Sequence, residues 1–248
     1  IPRVNQVVML RQTQTSIIFI QQLGRGLRKH ETKDYVTIID FIGNYKNNYL
    51  IPIALSGDKS LNKDNIRRKM KDTSYIKGVS TINFEEIAKK QIFKAITNTK
   101  LTTLKMLRET YTEVKNRIGR IPYLYDFVVN HSIDPWVIAT EYNNYYQFLL
   151  KLKEEVPSLS SYENSVLSML SLEILNGKRK HEILLLELLV VENAVERERF
   201  IESLTEHNCL TDDATLQSVN QVLSLSFFTQ SDYKKYGEQP LVYLDEDN

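Results

Sequence analysis

Two short apolar runs that flank an apolar helix constrain the fold of this chain more than any other feature. Residues 7–10 (V-V-M-L) and 35–41 (Y-V-T-I-I-D-F) have the length and composition of buried strands. Between them, a polar loop at residues 11–16 ends in a good N-cap and leads into an apolar helix that starts at Ile17. A strand, a helix and a second strand in this order predict one unit of an open parallel sheet.

The helix between the two predicted strands ends in a basic, glycine-rich segment, Q-Q-L-G-R-G-L-R. Arg25 and Arg28 are three residues apart, which predicts that they share one helix face, and Gln21 lies one turn before Arg25. Gly24 and Gly26 keep the backbone beside Arg25 bare, so that a large anion can approach it. Arginine stays charged and presents a planar fork of donors to phosphate. The segment therefore suits phosphate binding, although a helix end with two solvated arginines has the same pattern.

The pattern Q-x-x-G-R-x-x-R, formed here by Gln21, Gly24, Arg25 and Arg28, resembles motif VI of superfamily 2 helicases and translocases. The opening I-P-R resembles the end of their motif V, usually written G-I-D-I-P. The resemblance covers residues 1–57 and is closest to the motors of restriction-type and repair-type DNA enzymes. It implies that this segment is the C-terminal part of the second RecA-like domain of an ATP-dependent helicase.

This resemblance implies roles for individual residues. Arg28 and Arg25 would reach the γ-phosphate of ATP held by the first RecA-like domain, with Arg28 as the arginine finger, while Gln21 and Gly24 would serve ATP binding and coupling. ATP and Mg²⁺ are the implied cofactors of the intact protein. The chain contains no G-x-x-x-x-G-K-[ST] phosphate loop, and no acidic Walker B strand precedes the I-P-R segment. We therefore expect the Mg²⁺ ligands to lie outside these 248 residues, and we expect no ATP hydrolysis by the chain alone.

Charge divides the chain into a basic and an acidic half. Residues 1–120 contain 23 Lys and Arg against 10 Asp and Glu, whereas residues 121–248 contain 9 against 21. The first half can attract a polyanion, and the second half would repel one.

The densest basic cluster follows the segment that resembles a helicase. It consists of four side chains within five residues: Arg67, Arg68, Lys69 and Lys71. A solvated helix face is one interpretation. The other is a surface that contacts the phosphates of duplex DNA beside the motor, which positions the nucleic acid without reading its sequence. This second interpretation suits DNA and RNA alike.

The periodicity of the chain predicts an α/β segment followed by a mainly α region, with a remnant of a RecA-like parallel sheet at the start. We predict four parts: the RecA-like segment at residues 1–57, a basic helical connector at 58–105, a small helical module at 106–156, and an acidic helical accessory domain at 157–248.

The predicted small module resembles a helical repeat found beside helicases and homing endonucleases, G-x-x-P…F-G-S-W-x-x-A, which implies DNA contact. Here Y-N-N-Y at residues 142–145 replaces F-G-S-W, and the module is not basic, so a small aromatic core is the alternative. The basic K-R-K turn at residues 178–180 also has two interpretations. It can belong to a DNA-binding helix-turn-helix or to a helical hairpin held together by apolar packing.

Cysteine and histidine usage argues against a thiolate metal site or an internal disulfide. Cys209 is the single cysteine, and the four histidines are scattered without metal-ligand spacing. We expect no bound metal in this chain, no membrane span and a cytoplasmic location.

Two functional hypotheses follow. The first is the C-terminal portion of an ATP-dependent helicase, with nucleic acid as duplex DNA, the first RecA-like domain of the same protein and, as in some relatives, a nuclease domain as partners. The alternative is a non-catalytic helical scaffold whose acidic half docks a partner or the other half of the motor.

Overall fold

A computed structural model describes residues 3–10, 15–41, 47–72, 74, 80–177, 179–237 and 241–243. The protein is 59% helical and contains a small two-stranded parallel sheet, which confirms the predicted order of an α/β segment followed by a mainly α region. The chain divides into two compact units, Ile1–Val137 and Ile138–Asn248. The predicted end of motif V at Ile1 and Pro2 lies outside the described residues, as do residues 11–14 of the predicted polar loop.

The predicted strand–helix–strand unit is present at the start of the first unit. Strand β1 (Gln6–Met9), helix α1 (Ser16–Gly26) and strand β2 (Thr37–Asp40) follow one another, and the two strands pair in parallel from Gln6↔Thr37 to Met9↔Asp40. Thr15 caps the helix, because its side-chain oxygen accepts a hydrogen bond from the Ile18 N–H at 3.2 Å. The helix supplies the crossover that a parallel pair requires.

The prediction that both strands are buried was wrong. Met9 is the buried residue of β1, and no residue of β2 is buried. Val8 and Ile39, which are paired in register, remain 47% and 40% exposed. Alternate residues of a strand point to opposite faces, so Val7, Met9 and Ile38 meet the core while Val8 and Ile39 lie on the other face. Among the described residues, the core covers one face of this two-stranded sheet and leaves apolar side chains of the other face exposed.

Five further helices belong wholly to the first unit, and a sixth starts there. They are α2 (Leu50–Ser56), α3 (Lys63–Lys71), α4 (Glu86–Asn98), α5 (Leu104–Ile118), α6 (Leu124–Val129) and α7 (Pro135–Tyr142). Gly119 ends α5 in the left-handed conformation, with φ at 74°, as its position after the apolar stripe predicts. Asp134 precedes α7 and accepts the Trp136 N–H at 2.9 Å, as the D-P sequence predicts.

One hydrophobic core joins the sheet to the basic helices. Its buried members come from the sheet, from α1 to α4 and from the segments beside α4: Met9, Phe19, Ile51, Ile66, Met70, Phe84, Ile92, Ile96 and Leu101. The basic helix α3 is therefore packed onto the strand–helix–strand unit through Ile66 and Met70. The four-part division of the chain stays a prediction.

All the secondary-structure elements described in the second unit are helices. Its elements are α8 (Tyr145–Leu152), α9 (Ser161–Met169), which continues as a π-helical turn (Leu170–Ile174), α10 (His181–Glu192), α11 (Arg197–Glu206), α12 (Asp213–Leu223) and α13 (Gln230–Tyr236). The S-S-Y-E sequence at residues 160–163 has the pattern of a capping box, and reciprocal hydrogen bonds between Ser160 and Glu163 form this box at the start of α9. Leu204, Val219 and Leu223 are completely buried in the core of this unit. Within the described ranges, none of the helices combines the length and apolar character needed to cross a membrane.

Candidate functional site

Three residues of the predicted motif VI lie along one exposed side of α1. Gly24 and Arg25 lie three and four residues after Gln21, and all three residues are exposed. The opposite side of the helix carries Phe19 and Gly26, which are buried. The structure thus brings three of the four motif residues together on a single solvent-facing surface.

Arg28 does not share this helix face, so the prediction of two arginines on one face was wrong. Helix α1 ends at Gly26, Leu27 caps it, and Arg28 belongs to the following non-helical segment. The Lys33 ammonium donates a hydrogen bond to the Gly26 carbonyl at 3.0 Å, and this contact occupies one of the carbonyl groups left free at the helix end. Arg25 and Arg28 are both exposed, but they leave the backbone from different local structures.

The two glycines have different surroundings, which corrects the prediction that both bare the backbone for a ligand. A Cβ atom built on Gly26 would lie 2.8 Å from Val7 Cγ2, so this glycine is where α1 packs against β1. A Cβ atom on Gly24 would have no neighbour within 4 Å. Only Gly24 therefore leaves open space beside Arg25.

The predicted basic cluster divides between two flanks of α3. Arg67 donates to Asp64 Oδ1 at 2.8 Å and to Thr97 Oγ1 at 2.9 Å, which links α3 to α4. Arg68 is exposed and donates to Asn65 Oδ1 at 2.9 Å. These contacts hold both guanidinium groups at the protein surface.

Lys69 points to the other flank and neutralises a buried carboxylate. Its ammonium lies 3.0 Å from Asp58 Oδ2, and the Asp58 side chain is 3% exposed. Asp58 Oδ1 accepts the backbone N–H of Ser60 at 2.7 Å and its hydroxyl at 2.6 Å. Lys69 thus has a structural partner, whereas Lys71, at the end of α3, is exposed.

Three further basic side chains of α3 and α4 are not among the predicted nucleic-acid-binding residues. Lys63 donates to the Thr97 carbonyl at 2.9 Å, and Lys90 and Lys94 are exposed on α4. They are separated from the densest basic run, so local charge density does not single them out. Their helical spacing was the signal that could have found them.

The Y-N-N-Y segment of the small module forms a turn and the N-cap of α8. Asn143 has φ at 67°, a conformation that glycine adopts most easily and asparagine tolerates. Asn144 caps α8 by accepting the Gln147 N–H at 2.8 Å, the role for which serine is also well suited. Buried Asn144 also donates to Ser168 Oγ at 2.8 Å. Within the second unit, Asn144 therefore links the start of α8 to α9 by a hydrogen bond.

The basic turn before α10 makes contacts within its own unit. Arg179 donates to Glu182 Oε1 at 2.7 Å and to Ser218 Oγ at 3.1 Å, and Glu182 is buried. Lys178 lies outside the described residues. The Arg179 guanidinium therefore stabilises the packing of α10 and α12.

A groove of about 1350 Å³ lies in the second unit, between α10, α11, α12 and residues 241–243. Its lining combines apolar side chains with polar ones: Leu185, Leu189, Phe200, Asn193, Gln217 and Asn220. Arg197 and Asp213 form an ion pair among the lining residues. Across the described ranges, no three His, Cys, Asp or Glu side chains come together as a metal site would require.

Comparison with known proteins gives two results. Residues 107–248, more than half of the chain, match the family model "Domain of unknown function (DUF8090)". In addition, a segment of 90 residues is 34% identical to the protein named "Putative ATP-dependent helicase IRC3" of Saccharomyces cerevisiae. This second match covers 36% of the chain and 12% of the yeast protein, so it supports a helicase relationship for part of the chain. By the extent of the first match, the chain belongs to the DUF8090 family.

Proposed function

We propose that this chain is the C-terminal portion of an ATP-dependent helicase of superfamily 2. The observation that carries the proposal is the parallel β1–α1–β2 unit with the Q-x-x-G-R-x-x-R residues at the exposed side and end of α1. The 34% sequence identity over 90 residues to the yeast protein named "Putative ATP-dependent helicase IRC3" supports the same relationship. Helices cover both faces of the parallel sheet in α/β proteins, and the exposed apolar side chains of Val8 and Ile39 lie on a face that such helices would cover in a complete RecA-like domain.

In this proposal, Arg25 and Arg28 act on the phosphates of ATP. Both side chains are exposed, and a guanidinium group stays charged and donates to phosphate oxygens in a planar fork. ATP, when bound, would supply free energy through hydrolysis of its γ-phosphate. Arg28 would stabilise the charge of the transferring phosphoryl group. Gln21 and Gly24 would serve ATP binding and coupling beside it. The phosphate loop and the Mg²⁺ ligands would come from the first RecA-like domain.

The test is an Arg28→Ala substitution in the complete helicase polypeptide that contains this chain. Loss of an arginine finger lowers the rate of hydrolysis by roughly 10³ to 10⁵. We expect ATP turnover to fall by that order, with duplex DNA binding nearly unchanged. Lys29→Ala, which removes an exposed cation next to Arg28, is the matched control and should leave turnover intact. Turnover that survives Arg28→Ala would rule out the assigned role.

We further propose that part of the basic first half of the chain forms a surface for duplex DNA. Between residues 59 and 120 there are 16 Lys and Arg against 6 Asp and Glu. Neutralised phosphates release counterions, so binding by such a surface should weaken steeply as salt increases. The measurement is the affinity of the chain for a labelled duplex across a salt series.

A second candidate function is a scaffold that docks a partner through the acidic unit. The observation that favours it is the exposure of two neighbouring apolar side chains on α10, Val190 at 83% and Val191 at 79%. This interpretation predicts that the double substitution Val190→Ser and Val191→Ser weakens association with the other half of the motor, supplied as a separate polypeptide. Calorimetry at low salt measures this association. Unchanged association would count against it.

A further inference from the structure

A row of basic side chains runs along one side of α3. Lys63, Arg67 and Lys71 follow one another at intervals of four residues, so successive members are turned by about 40° around the helix axis. Lys69 is turned by about 160° from Arg67 and contacts Asp58 on the other flank. The row therefore contains two members of the predicted cluster and adds Lys63 to them.

A second basic row runs along α4. This row consists of Lys90 and Lys94, which are both exposed. Thr97 follows Lys94 by three residues on the same side of the helix. Lys90 and Thr97 are seven residues apart, which places them on nearly the same side of the helix, about 10 Å apart along its axis. The row therefore ends at the C-terminal end of α4.

The two rows meet at Thr97. Arg67 donates to Thr97 Oγ1 at 2.9 Å, and Lys63 donates to the Thr97 carbonyl, also at 2.9 Å. The carbonyl end of a helix carries partial negative charge, which helps to hold two cations close together there. These contacts place the α3 row directly beside the end of the α4 row.

Few carboxylates oppose this concentration of positive charge. Asp64 accepts a hydrogen bond from Arg67 and is itself 85% exposed, and Glu86 pairs with Lys89 at 3.1 Å. The remaining positive charge faces solvent, because Lys71, Lys90 and Lys94 are exposed. A surface of this kind attracts a polyanion.

We propose that Lys63, Arg67, Lys71, Lys90 and Lys94 form one surface, the α3–α4 basic face, which binds the phosphate backbone of duplex nucleic acid. This inference rests on the proposed function, in which nucleic acid is the partner. Neither helix presents an exposed aromatic ring: α3 has none, and Phe93 of α4 is half-buried against the core. Single-strand binding commonly uses aromatic rings on which bases stack, so the composition of this face favours a duplex.

The test uses the complete 248-residue chain and a labelled duplex DNA. The variant Lys90→Gln/Lys94→Gln removes two exposed charges that make no hydrogen bond or ion pair with another described residue. Its control is Lys105→Gln/Arg108→Gln, which removes two exposed charges from α5. Each phosphate contact contributes about 0.9 to the slope of log affinity against log salt. We expect the slope to fall by about 1.8 for the α4 variant, so that its loss of affinity is about tenfold greater at 50 mM than at 200 mM salt. The α5 control should retain the original slope.

Three results would overturn the inference. Equal slopes for the α4 variant and the α5 control would mean that the chain binds through general charge and not through this face. Binding of a single strand with equal or greater affinity than the duplex would overturn the choice of ligand. After the first result the proposed binding of duplex DNA by the first half of the chain would stand. After the second result a nucleic-acid partner would stand, but a duplex would not. Absence of salt-dependent binding by the unsubstituted chain would overturn both together.

Discussion

The Lys69 ammonium lies 3.0 Å from the carboxylate of Asp58, and the two side chains are 33% and 3% exposed. Asp58 precedes α3 in the chain, and its second carboxylate oxygen accepts two hydrogen bonds from Ser60. The pair therefore fixes the connection between α2 and α3. Lys69 belongs to a basic run, but its ammonium group is paired with Asp58 and so serves the stability of the fold.

Lys69→Ala should destabilise the first unit because it leaves a buried carboxylate without its cation. We expect a loss of about 1–3 kcal/mol, since both hydrogen bonds from Ser60 remain. Lys71→Ala removes an exposed lysine of the same helix and should change stability by less than about 0.5 kcal/mol. Urea denaturation of the two variants measures the difference. Equal midpoints would show that the contact with Asp58 contributes nothing.

Gly26→Ala should destabilise the packing of α1 against β1. The new methyl group would lie 2.8 Å from Val7 Cγ2, and valine has little rotameric freedom with which to move away. We expect a cost of about 1–3 kcal/mol in thermal denaturation. Gly24→Ala is the matched control, because its methyl group meets open space and alanine favours a helix by roughly 0.5–1 kcal/mol over glycine.

A double substitution makes the Gly26 prediction sharper. Val7→Ala removes the clashing atom, so Gly26→Ala should cost less in a Val7→Ala background than in the unsubstituted chain. Additive effects of the two substitutions would show that the glycine acts in another way.

Asn144→Ala should destabilise the second unit, because it removes the N-cap of α8 and the hydrogen bond to Ser168. A lost N-cap costs typically about 1 kcal/mol, and a lost hydrogen bond costs about 1 kcal/mol more. The predicted loss is thus about 2 kcal/mol in denaturant unfolding. Asn143→Gly, at the neighbouring residue with positive φ, should be neutral or slightly stabilising. A larger loss for Asn143→Gly than for Asn144→Ala would contradict this account.

Acid should weaken the start of α9 through Glu163. The Ser160 N–H, followed by the Ser160 hydroxyl, holds the pKa of Glu163 below its ordinary value of 4.5. A carboxylate whose pKa is lowered by folding stabilises the native state above about pH 4.5, and this contribution disappears as pH falls through the lowered value.

Thermal denaturation between pH 7 and pH 3 tests this expectation. Glu163→Gln should lower the melting temperature at pH 7 but not at pH 3, because glutamine does not titrate. Ser160→Ala should retain most of the acid dependence, since the backbone N–H is the larger cause of the lowered pKa. Identical pH profiles for Glu163→Gln and the unsubstituted chain would contradict the prediction.

Local sequence patterns predicted much of the fold. The alternation of apolar runs predicted β1, α1 and β2, and turn chemistry predicted the capping box at Ser160 and the end of α5 at Gly119. The capping box and the end of α5 depend on residues within about one helical turn of each other, so their physical causes are contained in short stretches of sequence. The roles assigned to Arg25, Arg28, Gln21 and Gly24 stay predictions from the motif.

The sequence by itself determined the order of the elements, the residue types of the Q-x-x-G-R-x-x-R segment and the charge difference between the two halves. Only the tertiary structure decided that Arg28 follows the end of α1, that Gly26 packs against Val7, and that Lys69 and Arg67 face different partners. Arg67 meets Thr97, which is thirty residues away, and the identity of such a neighbour depends on how the core aligns α3 with α4. Residue type sets the charge of a side chain, but packing decides whether that charge is paired within the protein or left for a ligand.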